Sequence, residues 1–257
     1  MGPIVLLTDF GLQDPYVGVM KSVISGIAPR APVIDLCHGV EPQGVREAAF
    51  HLKTSCSYLP KGSVVVVVTD PGVGSGRGIF WGRSARHQFL FPDNGVLGWL
   101  GASDGPREFR RLGNMALGLK TVSRTFHGRD LFAPVAARLW LGLKPSRLGP
   151  PAAPSVRFPF PEPSKVRGGL RGEVLYLDRF GNAVTNVRAD ALPRGARASF
   201  KGRRLGLGSF YAEIPESRAL ALAGSSGFVE LAVRNGNFAS RFGAKPGDKV
   251  HIYANHD

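Results

Sequence analysis

Five consecutive valines, Val64–Val68, constrain this chain more than any other feature. Side chains of a β-strand alternate between two faces, so a strand with one face in water carries a polar residue at every second position. Val64–Val68 carries none, and its β-branched side chains suit a strand better than a helix. The segment reads as a central strand covered on both faces, a condition met in parallel α/β sheets. Ile4–Thr8, Val33–Leu36 and Gln88–Phe91 also have strand character, and the valine strand extends to Thr69. Val17–Ile27 and Val45–Tyr58 repeat apolar residues at three- and four-residue spacing and read as helices. A third helix is predicted to start near Gly128 and run through Leu131, Ala136 and Leu139. Strands alternating with helices predict an N-terminal α/β domain with a mostly parallel sheet.

The pattern breaks at Leu148–Pro163, which holds six prolines and little periodicity. Proline fixes φ and biases the preceding residue toward extended backbone, so this stretch reads as an extended linker. Beyond it come short strands and glycine turns: Gly172–Leu177, Ala183–Asn186, Ala196–Phe200, Phe228–Val233 and Lys249–Tyr253. They predict a small antiparallel β-barrel or sandwich. The expected organisation is an α/β domain over residues 1–148, a linker over 149–168 and a β-barrel domain over 169–257.

Composition narrows the function classes. No apolar run approaches the roughly 18–20 residues a membrane span needs. The N-terminus has neither a basic n-region nor a long apolar h-region, so no signal peptide is expected and a cytoplasmic location is. Two cysteines, Cys37 and Cys56, make neither a disulfide framework nor a zinc site. The net charge of +14 invites a nucleic-acid partner, but it is spread evenly. Residues 1–150 carry 17 basic and 10 acidic side chains, and the remainder 16 and 9. Without a basic tail or an aromatic RNA-binding signature, neither a nucleic acid nor a membrane is expected as partner. An anionic or carboxylate-bearing small ligand fits this charge.

Ligands of open parallel sheets bind outside the carboxyl ends of the strands. Here those ends are Thr8-Asp9-Phe10-Gly11, Cys37-His38-Gly39, Thr69-Asp70-Pro71-Gly72-Val73-Gly74-Ser75-Gly76-Arg77 and Pro92-Asp93-Asn94-Gly95. Thr125-Phe126-His127-Gly128-Arg129-Asp130 precedes the third helix. Each pairs polar side chains with a glycine that lets the backbone turn or approach a ligand. Any one of them, Asp93-Asn94-Gly95 above all, could instead be an Asx-turn or a helix cap; five at one rim favour an active site. Familiar chemistries are missing. The glycine-rich turn lacks the Gly-Lys-Ser/Thr ending of a P-loop. There is no His-Glu-x-x-His or cysteine–histidine cluster for a metal, and no Gly-x-Ser-x-Gly elbow. No metal and no cofactor are expected.

Leu7-Thr8-Asp9-Phe10-Gly11-Leu12-Gln13-Asp14-Pro15-Tyr16-Val17-Gly18-Val19-Met20-Lys21 resembles the opening of the SAM hydroxide adenosyltransferases, S-adenosyl-L-methionine hydrolases related to fluorinase and chlorinase. The resemblance continues, in order, through Asp70–Gly74, Pro92–Gly95, Thr125–Asp130, Asp178-Arg179-Phe180-Gly181-Asn182, Ser225-Ser226-Gly227 and Gly236-Asn237. It implies an N-terminal α/β domain, a C-terminal β-barrel, and a homotrimer with sites between subunits. It also implies that Asp70, Arg77 and His127 hold the attacking water and that Asp9 binds the ribose hydroxyls. Asp178 and Ser225 would hold the methionine amino-acid group, with Phe180 on the adenine and Asn182 at its polar edge.

The halogenases typically have tyrosine at the positions of Asp70 and His127, and the fluorinase has serine at that of Gly128 and a loop inserted after the glycine-rich turn. Here that turn runs directly into Gly78-Ile79-Phe80. A fixed carboxylate repels halide, so Asp70 favours water. Gln43 stands where the halogenases have tryptophan near the ribose. The expected reaction is displacement at C5′ by water or hydroxide, giving adenosine and L-methionine. The alternatives are a non-catalytic S-adenosylmethionine- or adenosine-binding module and halogenase-like transfer to another nucleophile. His127, just before a helix, is expected to stay neutral. Arg77 beside Asp70 is expected to lower the carboxylate's pKa and weaken it as a base.

Overall fold

The computed structural model describes residues 1–192 and 195–253. Residues 193–194 and 254–257 of the expected barrel lie outside the described residues. The chain divides into two compact units, Met1–Pro159 and Phe160–Asp257.

The first unit is built on a six-stranded sheet of order β2-β1-β3-β5-β4-β6. Strands β1 (Ile4–Thr8), β2 (Val33–Cys37), β3 (Val64–Val68) and β5 (Gln88–Pro92) run parallel, with the valine strand at the centre. All five valines are buried. Each contributes about 1.5 kcal/mol or more of burial energy, and a polar residue on either face would forfeit it. Ile4, Leu6, Val64, Val66 and Val68 point to one face. There they meet helices α1 (Tyr16–Ile27) and α3 (Ala133–Trp140) through Met20, Ile24, Val135 and Leu139. Helix α2 (Val45–Ser55) buries Ala48, Ala49, Phe50 and Leu52. It stops at Ser55 and gives way to one tight turn, Cys56–Tyr58, so the predicted helix ends three residues early. The third helix opens with a wide turn, Gly128–Phe132, that runs into α3.

In this unit two antiparallel strands have no counterpart in the expectations. Strand β4 (Ile79–Arg83) pairs with β5 and with β6 (Glu108–Arg111). Three of the four β6 side chains are charged, as suits an edge strand that must not recruit further strands.

The proline-rich stretch is anchored along the first unit as far as Pro159. The Asp93 carboxylate accepts hydrogen bonds from Ser155 N (3.0 Å), Ser155 Oγ (2.7 Å) and Val156 N (3.1 Å). Phe158 stacks on Trp99 with centroids 5.4 Å apart, and Trp99 Nε1 donates to the Pro159 carbonyl. Those bonds hold the Asp93 carboxyl below the ordinary carboxylate range despite its burial. Asp93 therefore acts as an anchor for the proline-rich stretch, and the Asx-turn open as the alternative for its loop is made by Asn94, whose Oδ1 accepts from Val96 N–H at 3.2 Å.

In the second unit, β14 (Lys249–Tyr253), β10 (Arg197–Phe200), β11 (Arg203–Gly208), β12 (Ala219–Ala223), β13 (Phe228–Val233), β9 (Ala183–Arg188) and β8 (Gly169–Leu177) follow one another in that order. Pairing of β14 with β8 closes them into a seven-strand barrel, with β7 (Ser164–Val166) added along β8. The barrel is mixed, because β11 and β12 run parallel. The residues between them, including the short turn Tyr211–Glu213, cross over instead of making a hairpin. A short helix, α4 (Phe238–Phe242), is capped by the Asn237 side chain.

Candidate active site

Three of the strand-end loops, those after β1 and β3 and the one before the third helix, meet at a cleft of about 180 Å³ lined by Asp9, Asp70, Val73, Phe126, His127 and Phe132, among others; the loops after β2 and β5 do not line it. A larger apolar depression, about 600 Å³, lies beside Leu97, Phe109 and Phe158. It carries no carboxylate and no imidazole, so chemistry singles out the smaller cleft. Drug-sized ligands occupy roughly 300–1,000 Å³; this cleft suits only a fragment of a nucleoside. Among the described residues, no group of histidines, cysteines and carboxylates is arranged to hold a metal ion.

Asp70 follows the central strand, and its side chain is 6% exposed. Its Oδ1 accepts from Gly72 N (3.0 Å) and lies 2.8 Å from Arg77 Nε. Arg77 lines a neighbouring open depression with Phe80, Asp93 and Arg111, and reaches Asp70 from that side. Its Nη1 donates to the Asp93 carbonyl at 3.1 Å, which aims the guanidinium. Burial pushes the Asp70 carboxyl above the ordinary range and outweighs Gly72 N–H, Arg77 and the charge of His127, all of which act downward. The expectation that Arg77 would leave Asp70 with a lowered pKa is corrected: desolvation is the larger effect.

The glycine-rich turn makes this geometry possible. A Cβ at Gly72 would stand inside the Arg77 guanidinium, and one at Gly74 (φ +78°) would meet the Arg124 carbonyl. Because a displaced arginine can swing into solvent, Gly72→Ala should fold normally while losing the Arg77–Asp70 contact. A charge-assisted bond of this kind corresponds to roughly a 10- to 100-fold change. The expected outcome is a kcat lowered by about that factor with an unchanged melting temperature. Unchanged kcat would show that Arg77 does not need its place on Asp70.

Asp9 leaves the end of β1 toward the same cleft. Its Oδ2 accepts from the backbone N–H of Gln43 at 2.8 Å. Gln43 adopts φ 67°, a left-handed conformation that costs a non-glycine residue about 1 kcal/mol. The contribution of Gln43 is thus its peptide N–H, and its side chain is exposed. Burial raises the Asp9 carboxyl; the Gln43 bond opposes this, and the negative charge of Asp70 adds to it. Two carboxylates therefore share one cleft, with His127 beside them. Phe10, Tyr16 and Phe126 form an aromatic cluster with centroids 5.1–5.7 Å apart.

The other sequence-predicted residues lie in the barrel unit. Asp178 organises the β8–β9 turn: Oδ1 accepts from Phe180 N (2.9 Å) and Asn182 N (2.8 Å), and Oδ2 from Asn182 Nδ2 (2.9 Å). Asn182 is buried against this carboxylate, while the Phe180 ring is 75% exposed. An aromatic ring held out by a fixed turn is available for stacking. Ser225 sits on the exposed turn between β12 and β13, closed by Gly224 N–H to the Phe228 carbonyl. Sequence reasoning missed a neighbouring pair. Tyr211 donates to the buried Glu230, whose carboxyl burial pushes up, with the charge of Asp178 acting in the same direction. Glu230 lies in an otherwise apolar strand, a signal that the alternation of β13 could have supplied.

Both units match known families in chain order. Residues 4–149 match the model of the SAM hydroxide adenosyltransferase N-terminal domain, and residues 172–251 that of the C-terminal domain. An (R)-S-adenosyl-L-methionine hydrolase of Thermus thermophilus is 42% identical, covering 98% of this chain and all of the relative. One from Salinispora arenicola is 37% identical over 96% of each chain. A fluorinase of an Actinoplanes species is 27% identical, covering 97% of this chain and 96% of the relative. A crystal structure of an uncharacterized conserved protein from Thermotoga maritima superposes with a TM-score of 0.90 at 34% identity, covering 97% of this chain and 99% of that one. With both family models matched in order and relatives aligned end to end, the chain belongs to the SAM hydroxide adenosyltransferase family.

Proposed function

We propose that the protein hydrolyses S-adenosyl-L-methionine to adenosine and L-methionine. The observation that carries this reading is the buried carboxylate of Asp70, fixed by Arg77 in a cleft shared with His127 and Asp9. Water attacks C5′ in line with the departing sulfur. The new C5′–O bond forms as the C5′–S bond breaks, and sulfur leaves as a neutral thioether, so no general acid and no cofactor are required. What remains is to aim water and strip its hydration. Asp70 and His127 accept hydrogen bonds from that water, and Asp70 takes up the released proton. Its burial-raised pKa makes it a better base than an exposed carboxylate. Arg77 holds Asp70 in place.

Asp9 accepts hydrogen bonds from the ribose hydroxyls. From the barrel unit, Phe180 stacks on the adenine, Asn182 meets its polar edge, and Asp178 and Ser225 bind the amino-acid group. These candidates divide between the two units, and the cleft of the first suits only part of the substrate. A homotrimer in which neighbouring subunits complete each site fits that division.

Identifying the products tests the reaction: adenosine and methionine support it, and a 5′-halo-adenosine in halide buffer without adenosine would overturn it. The pH dependence follows from Asp70. Only the carboxylate accepts a proton, so activity is present above its pKa and lost as pH falls through it. Because burial raises Asp70 and Asp9 together, the acid limb of kcat/KM belongs to the pair. It should lie above about pH 4, where an ordinary carboxylate titrates. A limb at or below that value would remove Asp70 as the base.

A further inference from the structure

The loop after β1 is tied to the loop after β2 by three polar links. Gly11 N–H donates to the His38 carbonyl (2.7 Å), Gln43 N–H donates to Asp9 Oδ2 (2.8 Å), and the Thr8 hydroxyl lies 2.8 Å from His38 Nδ1. Behind them stands a row of charge: His38 Nε2 is 3.1 Å from Asp35 Oδ1, and Lys21 Nζ is 2.5 Å from Asp35 Oδ2. The protons follow. A carboxylate only accepts, so Nε2 carries a proton beside Asp35, and in the neutral imidazole Nδ1 then presents a lone pair. In that tautomer the Thr8 hydroxyl donates to Nδ1, and its oxygen accepts from Phe10 N–H at 3.3 Å. This fixes the peptide that follows Asp9.

The row has the outline of a nucleophilic triad, but Thr8 is fully buried and touches no cleft, so it attacks nothing. Its position also speaks against a merely stabilising part. Buried polar pairs add little net stability over apolar groups of the same shape, and cost heavily when one partner is lost. What such a pair does supply is direction.

We infer that Thr8 and His38 are positioning residues that set the direction of the Asp9 carboxylate and thereby the enzyme's grip on the ribose. The inference rests on the assignment of Asp9 to the ribose hydroxyls. A fault in this row touches the sugar-binding end and leaves Asp70 and Arg77 in place. Thr8→Val keeps the shape and removes the donor. It should raise KM for S-adenosylmethionine and Kd for adenosine about tenfold. Its kcat should stay within about threefold of wild type. Thr8→Ser should restore both constants.

A Thr8→Val protein with unchanged KM and Kd, or with kcat and KM altered alike and no rescue by serine, would overturn the inference and leave the reaction standing. Wild-type protein that leaves S-adenosylmethionine intact would overturn the reaction and the inference together. The ¹⁵N spectrum of the wild-type histidines gives a second measurement that does not depend on any variant folding. His38 should be the Nε2–H tautomer; an Nδ1–H signal would overturn the proton assignment on which the row depends.

Discussion

Asp70→Ala should lower kcat by roughly 10²- to 10³-fold, the scale of losing a positioned base and its electrostatic support. The Kd for adenosine should stay within about threefold, because the proposed role of Asp70 is toward the water and not the body of the nucleoside. Asp9→Ala should do the opposite. It should remove the two proposed ribose hydrogen bonds, cost about 1–3 kcal/mol of binding, and leave turnover at saturation largely intact. The two carboxylates share one cleft, and burial raises both. Composition and burial do not distinguish them; their partners do. Both accept from a backbone N–H, Asp70 from Gly72 and Asp9 from Gln43, and Asp70 has the Arg77 guanidinium beside it as well. A guanidinium aimed at the carboxylate suits a group whose own charge matters during reaction, and a fixed N–H suits a group that orients a ligand. Steady-state kinetics with calorimetry of adenosine binding separates the roles, and the reverse pattern would exchange them.

The second large effect concerns assembly. Asp70→Ala and Asp178→Asn proteins should each be nearly inactive, yet regain activity when mixed under conditions that allow subunit exchange. Asparagine is chosen at position 178 because its side-chain oxygen can still accept from Phe180 N and Asn182 N and so preserve the turn. If each site takes one unit from each of two subunits, random exchange leaves about one site in four with both units intact, and about a quarter of the wild-type activity returns. A heterologous interface that closes on itself also fixes one particle size, measurable by mass in solution. If every chain completes its own site, no intact site forms on mixing, and the activity stays at the level of the two variants.

Much of this architecture was legible in the residues. Val64–Val68 placed the central strand because nothing but burial on both faces accommodates five valines there. The polar–glycine loops marked the rim because ligands of parallel sheets bind at that end. Contacts set at long range were not legible. β4 returns as a hairpin partner of β5, Arg83 opposite Gln88, and β6 joins it from much farther along the chain, Arg83 opposite Glu108 and Phe80 opposite Arg111; no local period announces such a partner. The parallel β11–β12 pair depends on a crossover that short strands with glycine turns do not reveal. Asp93 looked like a site residue or a turn former; its role is fixed by Ser155 and Val156, far along the chain. The sign of the Asp70 shift turns on the depth of burial, which the adjacent arginine could not disclose. Gln43 contributes through its backbone, so its side chain carried no signal.

The most direct test of the reaction is turnover in H₂¹⁸O followed by mass spectrometry of the products. Attack by water at C5′ predicts adenosine carrying ¹⁸O at its 5′-oxygen, and methionine without label. Label on methionine with unlabelled adenosine, or intact S-adenosylmethionine after prolonged incubation, would contradict hydrolysis at that carbon.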